Sequence, residues 1–273
     1  MFLIWLRVAT ALYGLASLAA LPAVLYGRPR WNKVCLGAAI GGFFFHFVSL
    51  MEMMNAAHHW VPTGMHEVQS MLALLIMLAF LLIALLYRTV TFGMFALPLV
   101  FLLVLIPAIG PDKYTFTSPL IRNGWVFVHI AAVLAAYAGL IFSLVASLLY
   151  LLQERRIKSK RKQKAEFLPW LPPLETIDQI AHRTLLVGFH AMTIGLLAGS
   201  LIAQASMGSA YFRDPKVLLS FGMWLLFVVL LFIRRSKGLR GRRAVYLSSL
   251  VFLVMLSVWA ANQVSSFHRF TTP

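Results

Sequence analysis

Residues 124–152 read GWVFVHIAAVLAAYAGLIFSLVASLLYLL, without a single Asp, Glu, Lys or Arg. A helix needs about 20 mostly apolar residues to cross the hydrocarbon core of a bilayer. This stretch exceeds that length, so it can tilt or project beyond the bilayer. In lipid it must be helical, because its backbone polar groups find no water to bond.

Similar windows lie on both sides of this stretch. The chain of 273 residues is 61% hydrophobic and 12% charged, and its mean hydropathy is +0.84. Soluble domains carry about 25% charged residues. The sequence therefore predicts an all-α polytopic membrane protein, a single membrane domain over residues 1–273 without a soluble domain. Its eight candidate spans are residues 2–26, 35–57, 69–87, 92–109, 124–152, 184–206, 217–233 and 244–262.

The basic residues orient these spans. Eighteen of the 24 Lys and Arg residues lie in loops on one side, which the positive-inside rule makes cytoplasmic. Both termini are then expected to be outside. We interpret the net charge of +16 as orienting the protein in the membrane and interacting with anionic lipid, and not as a sign of nucleic-acid binding. The six basic residues on the outer side are Arg7, Lys113, Arg122, Arg213, Lys216 and Arg269.

The remaining composition excludes some classes of protein. The only cysteine is Cys35, so no internal disulfide forms, and no C-x-x-C-H motif of c-type cytochromes occurs. The N-terminus lacks a basic n-region and a clear cleavage site, so we expect the first span to be retained. Residues 153–183 are predicted to be a cytoplasmic basic loop, in which LETIDQIAHR forms a short interfacial helix leading into span six.

Four histidines are candidates for chemistry. His46 lies near the middle of span two and His190 in the inner half of span six, where an ionisable residue is a functional candidate. Either imidazole could instead bond a neighbouring helix. His129 opens span five and His268 follows span eight, at the same outer level. Neutral imidazole is the usual axial ligand of haem iron, so this pair could hold one haem or be unrelated.

The second half of the chain, 123–273, resembles the cytochrome c assembly proteins, the haem-handling membrane proteins of the CcsA, CcmC and CcmF type with their shorter HemX or YpjD members. NGWVFVHI, residues 123–130, resembles the family's S-x-W-L-x-x-H-V and places Trp125 and His129 on its Trp and outer His. Residues 174–203 resemble its run L-D-x-L-x-x-R…G-F…T-x-G-x-x-x-G-x-x-W-A. The matching residues there are Asp178, Arg183, Gly188, Thr193, Gly195 and Gly199.

The stretch MGSAYFRDPKV, residues 207–217, falls on the family's tryptophan-rich WWD signature, W-A-x-x-x-W-G-x-Y-W-x-W-D-P-K-E. The residues that match the signature are Ala203, Gly208, Asp214, Pro215 and Lys216. Further matches to the family pattern follow at Trp224, at Arg234 and in the stretch GLRGRRA. FHRF places His268 on the second outer His, and HFVSL with Pro62 and Glu67 resembles an N-terminal H…P…E pattern that includes His46. The chain departs from the family at Ile202, Met207, Tyr211, Arg213, Val217 and Phe232.

The resemblance implies a haem site at the outer face. It makes His129 and His268 the axial ligands of haem b, on a platform formed by residues 203–216 and Trp125. Tyr211 and Phe212 could stack on the porphyrin, and Asp214 lies in the same loop. Arg213 and Lys216 could pair with the propionates through charge-assisted hydrogen bonds. His46, with His190, could form a second, intramembrane haem site.

The resemblance further implies a component of cytochrome c maturation that binds, moves or presents haem in a bacterial cytoplasmic membrane. Full synthetases of the family join haem vinyl groups to cysteines of the substrate. This chain shows no independent catalytic motif, so we expect an assembly partner with an outer domain that docks apocytochrome c. Two alternatives remain open, a HemX-like regulator of haem synthesis or assembly acting through residues 153–183, and an exporter of haem or a small molecule.

Overall fold

The computed structural model describes residues 1–110, 124–158, 171–237 and 242–261, and the regular elements of these residues are helices. The all-helical prediction is confirmed. The helices are α1 (Phe2–Leu25), α2 (Pro29–Ala57), α3 (Met65–Tyr87), α4 (Gly93–Ile109), α5 (Gly124–Lys158), α6 (Leu174–Met207), α7 (Pro215–Lys237) and α8 (Arg242–Ala260), with a 3₁₀ turn at Gly208–Arg213 between α6 and α7.

Six of the helices in the described ranges, α1, α2, α3, α5, α6 and α7, are long and apolar enough to cross a membrane. The other two apolar helices are shorter. α4 has 17 residues, which is about 26 Å at 1.5 Å per residue. α4 packs against α1 and α3, and α8 packs against α5 and α7, so the longer helices flank both. The chain is therefore an integral membrane protein, and the side on which its termini lie stays a prediction.

The structure differs from the sequence prediction around residues 153–183. α5 continues to Lys158, and α6 begins at Leu174 and runs unbroken to Met207. LETIDQIAHR is thus the first part of α6 and not a separate interfacial helix. Pro173 directly precedes α6, and the sequence after it contains no further proline until Pro215, so nothing in the chain interrupts the helix.

The helices share two hydrophobic cores that meet at α5. The first core joins α1, α2, α3 and α4 to the C-terminal part of α5 and the N-terminal part of α6, with large buried side chains such as Phe80, Phe92 and Phe142. The second joins α5, α6, α7 and α8 around Leu140, Met223 and Phe227. Because α5 contributes to both cores, it fixes the N-terminal helices relative to the C-terminal helices.

Small residues bring the backbones of α1 and α2 close together. Alanines such as Ala9, Ala16 and Ala39 are fully buried where these helices meet. A Cβ at Gly42 would lie 2.6 Å from the ring of Tyr13, so glycine is required there for the ring to lie against α2. Lipid supplies no hydrophobic force between helices, and close backbone approach of this kind is what holds them together.

Polar residues define where α3 begins. The Glu67 carboxylate accepts the backbone N–H of Thr63 at 2.6 Å and of Gly64 at 3.2 Å. These bonds satisfy two of the N–H groups that a helix start would otherwise leave without partners. The Glu67 of the sequence pattern is therefore a capping residue in this fold.

Candidate functional site

His129 lies in the second turn of α5 and faces α6. Its Nδ1 is 2.6 Å from the carbonyl oxygen of Gly195 in α6. A carbonyl oxygen can only accept, so Nδ1 must carry the proton of the neutral imidazole and donate it. The other nitrogen, Nε2, then holds a lone pair. A histidine that ligates a metal has this arrangement, with one ring nitrogen donating to a carbonyl and the other left for the metal.

The ring of His129 fits against α6 because of a second glycine. A Cβ at Gly199 would lie 2.6 Å from the Cε1 and Nδ1 atoms of His129. One turn earlier, a Cβ at Gly195 would lie 2.8 Å from the side chain of Val133. These two glycines lie four residues apart on one face of α6, and they give α5 the space that the imidazole needs.

The same close packing continues toward the C-terminal end of α5 and the N-terminal end of α6. A Cβ at Gly139 would lie 2.7 Å from the carbonyl oxygen of Thr184, and one at Gly188 would lie 3.2 Å from that of Ala136. Glycines at 188, 195 and 199 thus form one stripe along α6 that faces α5. This stripe fixes the height of α5 relative to α6, and with it the height of His129 in the membrane.

The signature stretch forms the connection from α6 to α7. Gly208 has φ of +63°, a backbone conformation that L side chains rarely adopt, and it ends α6. After the 3₁₀ turn, the buried Asp214 begins α7: its Oδ1 accepts the backbone N–H of Lys216 at 2.9 Å. Pro215 occupies the first helical position, where a missing N–H costs nothing. The Asp-Pro-Lys sequence is therefore a helix start.

The two aromatic residues of this connection differ in exposure. Tyr211 is 3% exposed and its ring lies 4.2 Å from that of Phe212, which is 46% exposed. Phe212 also approaches Phe221 of α7 at 6.3 Å. The hydroxyl of Tyr211 is buried and has no hydrogen-bond partner among the described residues. The open aromatic face predicted for both rings is thus present at Phe212 and absent at Tyr211.

Lys216 and Trp125 lie near His129, and a second cation, Arg213, precedes Lys216 in the connection between α6 and α7. Arg213 is exposed and Lys216 is partly buried. The Lys216 ammonium is near enough to act electrostatically on the His129 imidazole. Trp125 lies one turn before His129 on α5 and is largely exposed. The N-terminal ends of α5 and α7 therefore bring together one imidazole and the Lys216 ammonium, beside an exposed aromatic ring.

His46 has a different environment. It is fully buried, with Nδ1 3.2 Å from the Tyr13 hydroxyl and Nε2 2.7 Å from the Ser70 hydroxyl. A hydroxyl can donate or accept, so both ring nitrogens are satisfied in either tautomer. The three residues come from α1, α2 and α3, and the imidazole joins these helices.

His190 lies in an exposed position, in contrast to the buried His46. Its Nδ1 is 2.8 Å from the carbonyl oxygen of Leu186 in its own helix, and the ring is exposed on the outside of α6, between Val187 and Ile194. The structure does not bring His46 and His190 together, since one is enclosed in the first core and the other faces outward. His268 lies outside the described residues.

Other residues of the family pattern pair across α6 and α7. The indole Nε1–H of Trp224 donates to the Thr193 hydroxyl at 2.9 Å. Near the C-terminal end of α7, the buried Arg234 guanidinium forms an ion pair with the Asp178 carboxylate and also donates to the Asp178 carbonyl at 2.9 Å. These pairs hold α7 against α6 at two levels, so this part of the pattern positions the helices.

The roles of Gly195 and Gly199 were missed by the sequence reasoning, which noted only that they match the family pattern. The available signal was the spacing itself. Two glycines four residues apart in a membrane helix indicate a close contact with another helix. Nothing in the spacing says that a histidine ring would occupy that contact.

Comparison with known proteins gives one family and a group of relatives. The family model described as "Cytochrome C assembly protein" matches residues 64–264, from the start of α3 to a point before His268. "Cytochrome c biogenesis protein CcsA" of Prochlorococcus marinus (strain MIT 9215) is 27% identical over 234 residues, 78% of this chain and 76% of that protein.

Two further relatives share that name. The protein of Chlamydomonas reinhardtii is 28% identical over 148 residues, 53% of this chain and 40% of that protein. The protein of Prochlorococcus marinus (strain MIT 9312) is 30% identical over 166 residues, 54% of each chain. The chain matches less than half the length of the Chlamydomonas protein and about half that of the second Prochlorococcus protein.

Proposed function

Since the chain belongs to the cytochrome c assembly protein family, we propose that it binds haem at the outer face of the membrane and presents it for cytochrome c maturation. The names of the relatives favour this function over regulation of haem synthesis and over export of a small molecule. We propose haem b as the bound form and the bacterial cytoplasmic membrane as the location.

The observation that supports this proposal most directly is the hydrogen bond between His129 and Gly195. Because Nδ1 donates to the carbonyl oxygen at 2.6 Å, Nε2 is left as a lone pair that suits an axial bond to iron. The absence of a side chain at Gly199 leaves the space that the ring occupies against α6. The protein thereby fixes both the tautomer and the orientation of the ligand before any haem is present.

The connection between α6 and α7 supplies the other groups that a haem requires. Phe212 offers an exposed ring for stacking, and Arg213 and Lys216 offer positive charge for the propionates. The buried Tyr211 hydroxyl has no hydrogen-bond partner among the described residues. A haem propionate could accept a hydrogen bond from it. Asp214 contributes by starting α7, which fixes where Lys216 lies.

The second axial ligand in this proposal is His268, on the ground of the family resemblance. His46 and His190 are left out of it, because the first has both nitrogens bonded and the second faces outward.

Bound haem supplies the vinyl groups that are joined to cysteines of a cytochrome c. We propose that a cytochrome c assembly partner with an outer domain holds the apocytochrome c against this face.

An absorbance spectrum of the purified protein tests the proposal. We expect wild-type protein from haem-replete cells to show a low-spin bis-histidine spectrum and to give haem b in a pyridine haemochrome assay. His129→Ala should lose most of that spectrum, and imidazole added to the buffer should restore it by filling the open axial position. His190→Ala is the matched control, since it also removes a histidine bonded to a carbonyl of α6.

Two results would contradict the proposal. One is a wild-type protein that purifies colourless and does not bind added haem. The other is equal loss of haem in His129→Ala and His190→Ala, because a general effect of removing a histidine from the C-terminal helices would then explain both.

A further inference from the structure

A groove lies between α1 and the C-terminal half of α4, away from the haem site proposed above. Its volume is about 440 Å³, within the range of small-ligand pockets. Ala11 of α1 forms one wall, and Phe101, Leu105 and Ile109 of α4 form the other. Among the described residues that line the groove, only Arg7 is charged. The groove is thus apolar along its length, with one cation.

Arg7 is held in place by the end of α4. Its Nε donates to the carbonyl oxygen of Ala108 at 3.2 Å. Ala108 lies in the last turn of α4, where carbonyl groups have no partner within the helix. The bond therefore satisfies a carbonyl and fixes the plane of the guanidinium. It leaves Nη1 and Nη2, on the far edge of the guanidinium, available for another acceptor.

Within the described residues, no carboxylate neutralises the charge of Arg7. Arg7 forms no ion pair with any acidic residue in the described ranges, and the lining of the groove contains none. The nearby Thr10 hydroxyl donates to the carbonyl of Leu6, within its own helix. A guanidinium beside an apolar groove near the membrane interface attracts anionic groups, with which it forms charge-assisted hydrogen bonds.

The depth of Arg7 matches a lipid headgroup. α1 has 24 residues and is about 36 Å long, which exceeds a hydrocarbon core of about 30 Å. Arg7 is the sixth residue of this helix. Its side chain leaves the helix in the direction of the N-terminus, so the guanidinium reaches toward the interface while the apolar walls extend into the core.

We propose that this groove binds an anionic phospholipid of the leaflet at the N-terminal end of α1. The phosphate pairs with Nη1 and Nη2 of Arg7, whose planar fork suits a bidentate contact with phosphate oxygens. One acyl chain lies against Ala11, Phe101 and Leu105. A soluble phosphate ion would match the cation but would leave the apolar walls uncovered, whereas a phospholipid matches both.

Native mass spectrometry of the detergent-purified, delipidated protein tests the site. Phosphatidylglycerol and phosphatidylcholine are added in equal amounts, and inorganic phosphate is added in a separate arm. We expect the wild type to retain one phosphatidylglycerol in preference to phosphatidylcholine, and inorganic phosphate in excess not to displace it. Arg7→Gln should reduce retained phosphatidylglycerol about tenfold, the size expected for losing a charge-assisted contact.

Two further variants separate the charge from the groove. Ala11→Phe leaves the cation and fills the apolar wall at an exposed position, so it should lower the retention of both lipids. Arg30→Gln removes an exposed cation at the start of α2 and should change neither. The proposal is overturned if Arg7→Gln retains as much phosphatidylglycerol as Arg30→Gln. Equal retention of the two lipids by the wild type, or displacement by inorganic phosphate, would also overturn it.

Discussion

His46 and His129 lie in different parts of the bundle and use their ring nitrogens differently. In the N-terminal helices, His46 bonds a hydroxyl at each nitrogen and is closed off from any ligand. Near the N-terminal end of α5, His129 donates to a backbone carbonyl from one nitrogen and keeps the lone pair of the other. The number of ring nitrogens already bonded thus separates a histidine that joins helices from one that can take a metal.

The two histidines also differ in what holds them. His46 depends on side chains of two other helices, Tyr13 and Ser70, so changing any of the three affects the others. His129 depends on a carbonyl and on the absence of a side chain at Gly199. The first arrangement stabilises the fold, and in the proposed function the second orients a haem ligand. Substitutions at each arrangement therefore should affect different measurements.

The largest effect is expected for Gly199→Val. A Cβ at this position would lie 2.6 Å from the His129 ring, and α6 cannot yield because its backbone is packed on α5 at Gly188. The ring must rotate away, and we expect retained haem to fall about tenfold or more, as for loss of a group that orients a metal ligand. The absorbance of purified protein measures this.

Gly222→Val is the control for that substitution. A Cβ at residue 222 meets nothing within 4 Å, so the same change of residue in α7 should leave the haem content unchanged. If both variants lose haem alike, the packing of His129 against Gly199 is not what orients it.

The next effect in size is expected for His46→Ala. The substitution leaves a cavity in the first core and removes the partner of the Tyr13 and Ser70 hydroxyls. We expect the free energy of unfolding to fall by about 2–5 kcal/mol, measured by denaturant or thermal unfolding in detergent. The haem spectrum should keep its shape. His190→Ala, at an exposed position, should cost about 0.5 kcal/mol or less.

A change in the haem spectrum of His46→Ala would contradict the contrast drawn between His46 and His129. Loss of a distinct haem absorption with unchanged stability would mean that His46 ligates iron, and that its hydrogen bonds rearrange when haem binds.

The smallest effect is expected for Trp224→Phe. This change removes the indole donor to Thr193 and should lower the free energy of unfolding by about 1 kcal/mol, with little change in haem content. Combining it with Thr193→Val should cost less than the sum of the two single variants, because both remove the same bond. Strict additivity in this double-mutant cycle would show that the bond does not couple α6 to α7.

Much of the fold followed from hydrophobic length alone. All eight windows correspond to helices, and their ends agree within a few residues except at α2, α3, α5, α6 and α7, whose polar ends extend beyond the apolar windows. Apolar content marks the part of a helix inside lipid and carries no information about turns that continue into water. For this reason LETIDQIAHR was assigned to a separate element.

The candidate site was harder to predict from the sequence. His129 and the Asp-Pro-Lys stretch could be found from the family pattern, but their roles depend on contacts between helices. The buried state of Tyr211 and the capping role of Asp214 depend on how α6 turns into α7 at Gly208. The bonds that close off His46 come from residues 24 and 33 positions away in the chain, which no local pattern reveals.

The acceptor that orients His129 belongs to the backbone, and this affects how the protein can tolerate mutation. No single amino-acid replacement at position 195 can remove a carbonyl oxygen, whatever side chain it brings. Selection can therefore act on the orientation of His129 only through steric bulk, at Gly195 and Gly199. A lineage could exchange most aromatic residues of the neighbouring connection by drift and still inherit an imidazole held in the same tautomer.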